Sequence, residues 1–115
     1  NIQDTKDFPY LICTSTATID SGSVSSSAVD LRGTKLRAIV TPTITSTKFT
    51  LRTSADGSTY LPLRTAAGVA VSMSVTDSSS HLVDASLPWE AVRWVRLICN
   101  STESAARSIT LISTP

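Results

Sequence analysis

One histidine, scattered acidic residues and many serines are the groups in this chain that could support hydrolysis. A serine nucleophile needs a histidine to accept its proton and an acid to orient that histidine. His81 is the only histidine, and Asp77 and Asp84 lie close to it in the sequence. Serines are so frequent that one near His81 is expected by chance, and the GxSxG turn of many hydrolases is absent. We therefore predict that the chain is not an enzyme.

The acidic residues are a second group with a possible chemistry, because two carboxylates a few ångströms apart can hydrolyse glycosidic bonds. Aromatic residues, which bind sugar rings at such sites, make up only 5% of the chain. The aspartates occur singly in segments with the composition of turns, where Asp bends or caps the backbone. We interpret five of them as turn formers: Asp20, Asp30, Asp56, Asp77 and Asp84.

Metal and cofactor sites have little support in the sequence. Cys13 and Cys99 are far apart, no CxxC spacing exists, and a single histidine cannot complete a common zinc site. Four scattered glycines cannot form a phosphate-binding loop. We expect no catalytic residue, no metal and no cofactor. We also expect two free thiols, with a disulfide between an early and a late strand as the alternative.

Length and charge limit the partners that this chain can have. With 115 residues we expect an N-terminal arm at residues 1–9 and one domain at residues 10–115. The formal net charge is only +1, which disfavours nucleic acid as a partner. No apolar run approaches the roughly 20 residues that a membrane-spanning helix needs. We therefore expect neither a nucleic acid nor a membrane as partner.

Alternating polar and apolar residues indicate β-strands. Serine and threonine supply about a third of the chain and alternate with Val, Ile and Leu, which is typical of half-buried strands. Asp56-Gly57 between two such runs predicts a β-hairpin, and strict alternation over residues 69–75 predicts a further strand. Turn signals recur about every 10 residues. The sequence predicts an all-β fold, an antiparallel jelly-roll-like β-sandwich of roughly eight short strands.

The same alternation predicts which side chains form the core. A strand at residues 35–40 should end near Pro42, because proline cannot donate a hydrogen bond to a central ladder. The predicted core residues are Leu36, Ala38, Val40, Phe49, Leu51, Val71, Met73, Val95, Leu97, Ile109 and Leu111.

Three motifs together resemble a known class of proteins. Residues 54–63 match an S-x-DG-x-x-Y-x-x-L hairpin, and Pro88-Trp89 and the strand at 93–97 follow it in the same order. This arrangement is similar to small β-sandwich structural proteins of tailed bacteriophages, over about residues 29–112. The resemblance implies a virion component assembled in the host cytoplasm, first of all a capsid decoration (cement) protein. A neck, tail or knob protein is the alternative that the same resemblance implies.

Interfaces concentrate their affinity in aromatic and arginine residues, which indicates where a partner would bind. The partner is expected to be the major capsid protein, another virion protein or a second copy of this chain. The candidate contact residues are Asn1, Ile2, Lys6 and Phe8 in the arm, together with Arg37, Arg52 and Trp89. A carbohydrate-binding β-sandwich is a further alternative, which exposure of Trp89 and Tyr60 in one groove would favour and burial of both would remove.

Overall fold

A computed structural model of the chain describes residues 12–65, 67–83, 87–89 and 92–115. The described residues form nine β-strands. They are β1 (Cys13–Ile19), β2 (Val29–Asp30), β3 (Lys35–Val40), β4 (Lys48–Ser54), β5 (Leu61–Pro62), β6 (Ser72–Ser74), β7 (Ser80–Leu82), β8 (Trp94–Cys99) and β9 (Arg107–Thr114). Among these residues, no helix is both long and apolar enough to cross a membrane.

The strands form two antiparallel sheets. The first sheet has the order β1-β9-β3-β7, and the second has the order β2-β8-β4-β5, with β6 also paired to β4. The chain moves from one sheet to the other along most of its length, so that neighbours within a sheet are distant in sequence. This is the arrangement of a jelly roll. The predicted all-β antiparallel sandwich is confirmed, with nine strands in place of roughly eight.

The predicted hairpin joins β4 to β5. Arg52 lies opposite Pro62, and Gly57 has a φ of +82°, which glycine adopts without the steric cost that a side chain adds. The Asp56 carboxylate accepts hydrogen bonds from the backbone N–H groups of Thr59 (3.0 Å) and Ser58 (2.8 Å). Those bonds, with one from the Ser54 hydroxyl, lower the pKa of Asp56 to about 2. The Asp-Gly turn is therefore built as the sequence indicates.

The core between the sheets confirms most of the predicted residues and corrects two. Leu36, Phe49, Leu51, Val95, Leu97, Ile109 and Leu111 are each at most 1% exposed. Ala38 and Val40 were predicted to face the core and are only half-buried, whereas Ile39 is fully buried. The pairing of β3 with β9 shifts between Leu36 and Ala38. An extra residue at a bulge reverses which side chains face inward, so the alternation changes its phase there.

The predicted strand at residues 69–75 is shorter than its alternation indicates. Only Ser72–Ser74 forms a strand, and Val69 is 62% exposed. The reason is a second turn, closed by a 2.9 Å hydrogen bond from the Thr65 N–H to the Val69 carbonyl oxygen. Val71 and Met73, predicted to be core residues, are partly buried and pack against the core. The alternating sequence at residues 69–75 therefore begins in a turn and continues into a short strand.

Candidate functional site

The predicted partner contacts do not share one surface. Asn1, Ile2, Lys6 and Phe8 lie outside the described residues, so their role stays a prediction. Arg37 lies on β3 in the first sheet and Arg52 on β4 in the second. The half-buried Arg37 uses its Nε to donate a hydrogen bond to Thr114 Oγ1 at 2.9 Å, which links β3 to β9. Of these two arginines, Arg52 is the more exposed to solvent.

Trp89, one of the predicted partner contacts, is buried in this structure. Its side chain is only 2% exposed and belongs to the hydrophobic core. The backbone N–H of Val92 donates to the Trp89 carbonyl oxygen (3.0 Å), and the indole fills core volume. Tyr60 is half-buried rather than open. The groove that would favour the carbohydrate alternative, with both rings exposed, is therefore not formed.

Two arginines lie opposite each other on the outer side of the second sheet. The register of β4 and β8 pairs Arg52 with Arg96, next to the buried pair Leu51 and Leu97. Directly opposite residues on an antiparallel pair have Cβ atoms about 4.5–5.5 Å apart and project to the same face. Like charges in such a pair are destabilising. Sequence alternation placed Arg52 outward, but only the register brings Arg96 beside it.

The hairpin turn folds over this surface and fixes the arginines. The Arg96 guanidinium lies 4.8 Å from the centroid of the Tyr60 ring, and Arg52 Nη2 donates to the Tyr60 carbonyl oxygen at 3.4 Å. Gly57 lies against the Trp94 indole, where an added Cβ would come within 3.1 Å of Nε1. We call the surface formed by Arg52, Arg96, Tyr60 and Trp94 the arginine face.

The arginine face carries positive charge that the described residues leave uncompensated. At its border, Arg93 forms a 3.1 Å ion pair with Asp30, and the hydrogen bond from Arg93 lowers the pKa of Asp30. Within the described part of the chain, neither Arg52 nor Arg96 has a carboxylate partner. In addition, Arg96 Nε and the Tyr60 hydroxyl are enclosed without a hydrogen-bond partner there. The face thus has donors that no described acceptor uses.

A contrasting charged group, which sequence reasoning did not single out, is Glu103. Its side chain is 0% exposed, and each carboxylate oxygen accepts two hydrogen bonds. Oε1 accepts from the Thr45 N–H (2.8 Å) and from Arg107 Nε (3.0 Å). Oε2 accepts from the Ser46 N–H (2.8 Å) and the Ser46 hydroxyl (2.7 Å). We call these four residues the Glu103 cluster.

The bonds of the Glu103 cluster keep its carboxylate ionised. Burial disfavours the charged form, but the bonds from Ser46, Thr45 and Arg107 outweigh it. Together they lower the pKa of Glu103 to about 2. The cluster ties the loop before β4 to the loop before β9, so its role is in the fold. A glutamate in a polar loop gave no sequence signal of this role.

His81, the candidate base of a serine triad, is engaged by backbone groups. Its Nε2 accepts a hydrogen bond from the Thr76 N–H at 2.9 Å, so Nδ1 carries the proton and lies 3.3 Å from the Ile39 carbonyl oxygen. Asp77 accepts from the Ile44 N–H at 2.6 Å, and Asp84 lies outside the described residues. His81 therefore helps to hold the β7 edge of the first sheet.

Both cysteines are free in the structure, as predicted. Cys13 lies on β1 of the first sheet and Cys99 on β8 of the second. Cys99 is buried, and burial raises the pKa of its thiol, so it behaves as a small core side chain. Across the residues described, no group of three or more His, Cys, Asp or Glu side chains is arranged to hold a metal ion.

Comparison with solved structures shows that another protein has this fold. The SPBc2 prophage-derived protein YomS superposes with a TM-score of 0.52 and 9% sequence identity, over 90% of this chain and 94% of that chain. No protein-family model and no curated protein matches the sequence. At 9% identity the likeness concerns the fold alone.

Proposed function

We propose that this chain is a non-enzymatic structural protein of a tailed-bacteriophage virion that decorates the capsid by binding the lattice of the major capsid protein. The observation that carries the proposal is the arginine face. It combines two outward arginines in register with two aromatic residues, and these residue types dominate binding energy at protein interfaces. The face lies on a sheet whose other side is packed in the core, so a partner meets a rigid surface.

The shape of the fold supports a role on a lattice. A decoration protein makes the same moderate contact many times, and neighbouring contacts on an assembled shell increase the overall avidity. A jelly-roll sandwich keeps its outer sheet faces fixed while it binds. The predicted arm at residues 1–9 would add a second contact, which raises the effective concentration of the first.

The fold likeness supports a phage setting for the proposal. YomS is described as a prophage-derived protein, and this chain has a similar fold over 90% of its length. The hairpin, the Pro-Trp turn and the penultimate strand of the sequence resemble phage sandwich proteins independently of that likeness. The carbohydrate alternative has lost its main support, because Trp89 is buried.

Cryo-electron microscopy of the phage particle tests the proposal. The particle is compared with one from a phage whose gene for this chain is deleted, so that the difference map contains only this protein. We expect difference density distributed over the outer surface of the capsid. Density confined to the neck, tail or knob would overturn the capsid assignment, and identical particles would overturn the virion assignment.

A further inference from the structure

We propose that Arg52 and Arg96 together form a receptor for a carboxylate of an acidic side chain on the partner protein. The proposal deepens the function proposed above and rests on it for the identity of the partner, a virion protein. Its geometric basis is the register of β4 and β8, which places the two arginines directly opposite each other. Opposite residues on paired strands project to the same face, where two guanidinium groups can donate hydrogen bonds to the two oxygens of one carboxylate.

Both arginines are held in place before a partner arrives. Tyr60 holds them through two different groups, since its ring stacks on Arg96 and its carbonyl oxygen accepts from Arg52. Because Arg96 Nε is enclosed, only the Nη groups at the outer end of its guanidinium can contact a partner. Side chains that are already ordered lose less conformational entropy on binding.

The positive charge of the arginine face favours the binding of an anion. Like charges opposite each other on paired strands repel, and no described carboxylate relieves the repulsion between Arg52 and Arg96. A partner carboxylate would neutralise the pair and accept hydrogen bonds from the outward Nη groups. Binding is therefore favoured both by new hydrogen bonds and by the removal of an existing repulsion.

A single carboxylate fits the surroundings of the face better than a nucleic acid. Nucleic-acid binding depends on neutralising many phosphates, and this chain has a net charge of only +1. Asp30 on β2 lies opposite Trp94, and Asp56 precedes Gly57, where an added Cβ would meet the same indole. Both pKa values are lowered, so both aspartates are ionised at neutral pH. The positive area is therefore limited to the arginine pair, which suits one carboxylate better than a chain of phosphates.

Titration of the arginine Nε–Hε signals in NMR spectra tests the receptor directly. The probes are the peptide acetyl-Gly-Glu-Gly-Glu-Gly-amide, its Gln counterpart, and a ten-residue oligothymidine. We expect the Glu peptide to shift the signals of Arg52 and Arg96 and the Gln peptide to leave them unchanged. Stronger shifts with the oligothymidine, or equal shifts with both peptides, would overturn the assignment to a carboxylate.

Variants separate charge from geometry. R52K/R96K keeps both positive charges but removes the planar guanidinium groups, each of which can bind a carboxylate through two hydrogen bonds. We therefore expect this variant to bind the Glu peptide about tenfold more weakly than the parent does. The control is R64Q, which removes the charge of another exposed arginine, just after β5. It should bind the Glu peptide as the parent does. Circular dichroism and a melting curve establish that each variant is folded. Equal binding by R52K/R96K and the parent would overturn the proposal.

Binding to capsids that lack this protein distinguishes the receptor from the proposed function. Capsids that bind the parent and R52K/R96K equally would leave the decoration function standing and overturn the receptor. Capsids that bind neither, when the Glu peptide still shifts both arginine signals, would overturn the decoration function and leave the receptor standing. Loss of capsid binding only in R52K/R96K is the result that we expect.

Discussion

The arginine face and the Glu103 cluster use charge in opposite ways. In the Glu103 cluster one buried carboxylate accepts four hydrogen bonds, and a cation, Arg107, lies beside it. On the arginine face two cations lie opposite each other without a carboxylate among the described residues. Buried charges are tolerated when they are fully bonded, so the first arrangement serves the fold. In the second arrangement Tyr60 contacts both arginines but leaves their charge uncompensated, which is why we propose that it serves a contact.

Replacing the buried carboxylate should have the largest effect on stability. E103Q keeps the size of the side chain but removes its charge and turns an NH₂ group toward backbone N–H donors. We expect the free energy of unfolding to fall by about 3 kcal/mol, because hydrogen bonds to a buried charge are lost. Urea denaturation measures this change. The control is D20N at an exposed aspartate, and a loss in E103Q no larger than in D20N would contradict a structural role for the cluster.

Acid should weaken the same cluster. The pKa of Glu103 is about 2 in the folded chain, below its ordinary value of 4.5. Because the folded pKa is depressed, the stabilisation is fully present above about pH 4.5 and is lost as the pH falls toward 2. The pKa of Asp56 is also lowered to about 2, so its protonation in acid reduces stability as well. Melting temperatures between pH 6 and 2.5 should fall more steeply for the parent than for E103Q, and parallel curves would exclude Glu103 as the main titrating group.

An intermediate effect is expected where the hairpin supports the arginine face. G57A forces alanine into a φ of +82° and brings a Cβ within 3.1 Å of Trp94 Nε1. We expect a loss of about 2 kcal/mol, together with weaker capsid binding, because Tyr60 on the same hairpin moves relative to Arg96. The control is G22A, at a glycine with a φ of +81° and open space around it. Equal effects in both variants would show that the contact with Trp94 contributes nothing.

The smallest effect on stability is expected on the arginine face itself. R52Q removes one of two opposing positive charges and leaves the core unchanged. We expect the free energy of unfolding to stay within about 0.5 kcal/mol of the parent value or to rise slightly, since the repulsion from Arg96 is relieved. Capsid binding should fall in the same variant. A marked loss of stability in R52Q would mean that this arginine serves the fold, as Glu103 does.

Local patterns were sufficient to predict the elements but not the positions that depend on register. The Asp56-Gly57 hairpin and the sandwich follow from turn chemistry and alternation, which are properties of short segments. The bulge after Leu36 depends on how β9 pairs with β3, so the burial of Ile39 instead of Ala38 had no local signal. The burial of Trp89 also had no local signal, because it depends on how the indole packs in the core.

The candidate site shows the same division. Alternation predicted that Arg52 faces outward, and it does. Arg96 was not among the predicted contacts, because its adjacency to Arg52 results from pairing between strands far apart in sequence. The hydrogen bonds to Glu103 likewise join two loops that lie more than 50 residues apart in the sequence.

Hydroxyl-radical footprinting of the free and capsid-bound protein tests most directly whether the arginine face is the contact surface. Tyr60 and Trp94 are half-buried residues of the face, and Leu82 on β7 of the first sheet is 89% exposed. Mass spectrometry measures the oxidation of each residue. We predict that capsid binding lowers the oxidation of Tyr60 and Trp94 and leaves that of Leu82 unchanged. Protection of Leu82, with Tyr60 and Trp94 oxidised as in the free protein, would contradict it.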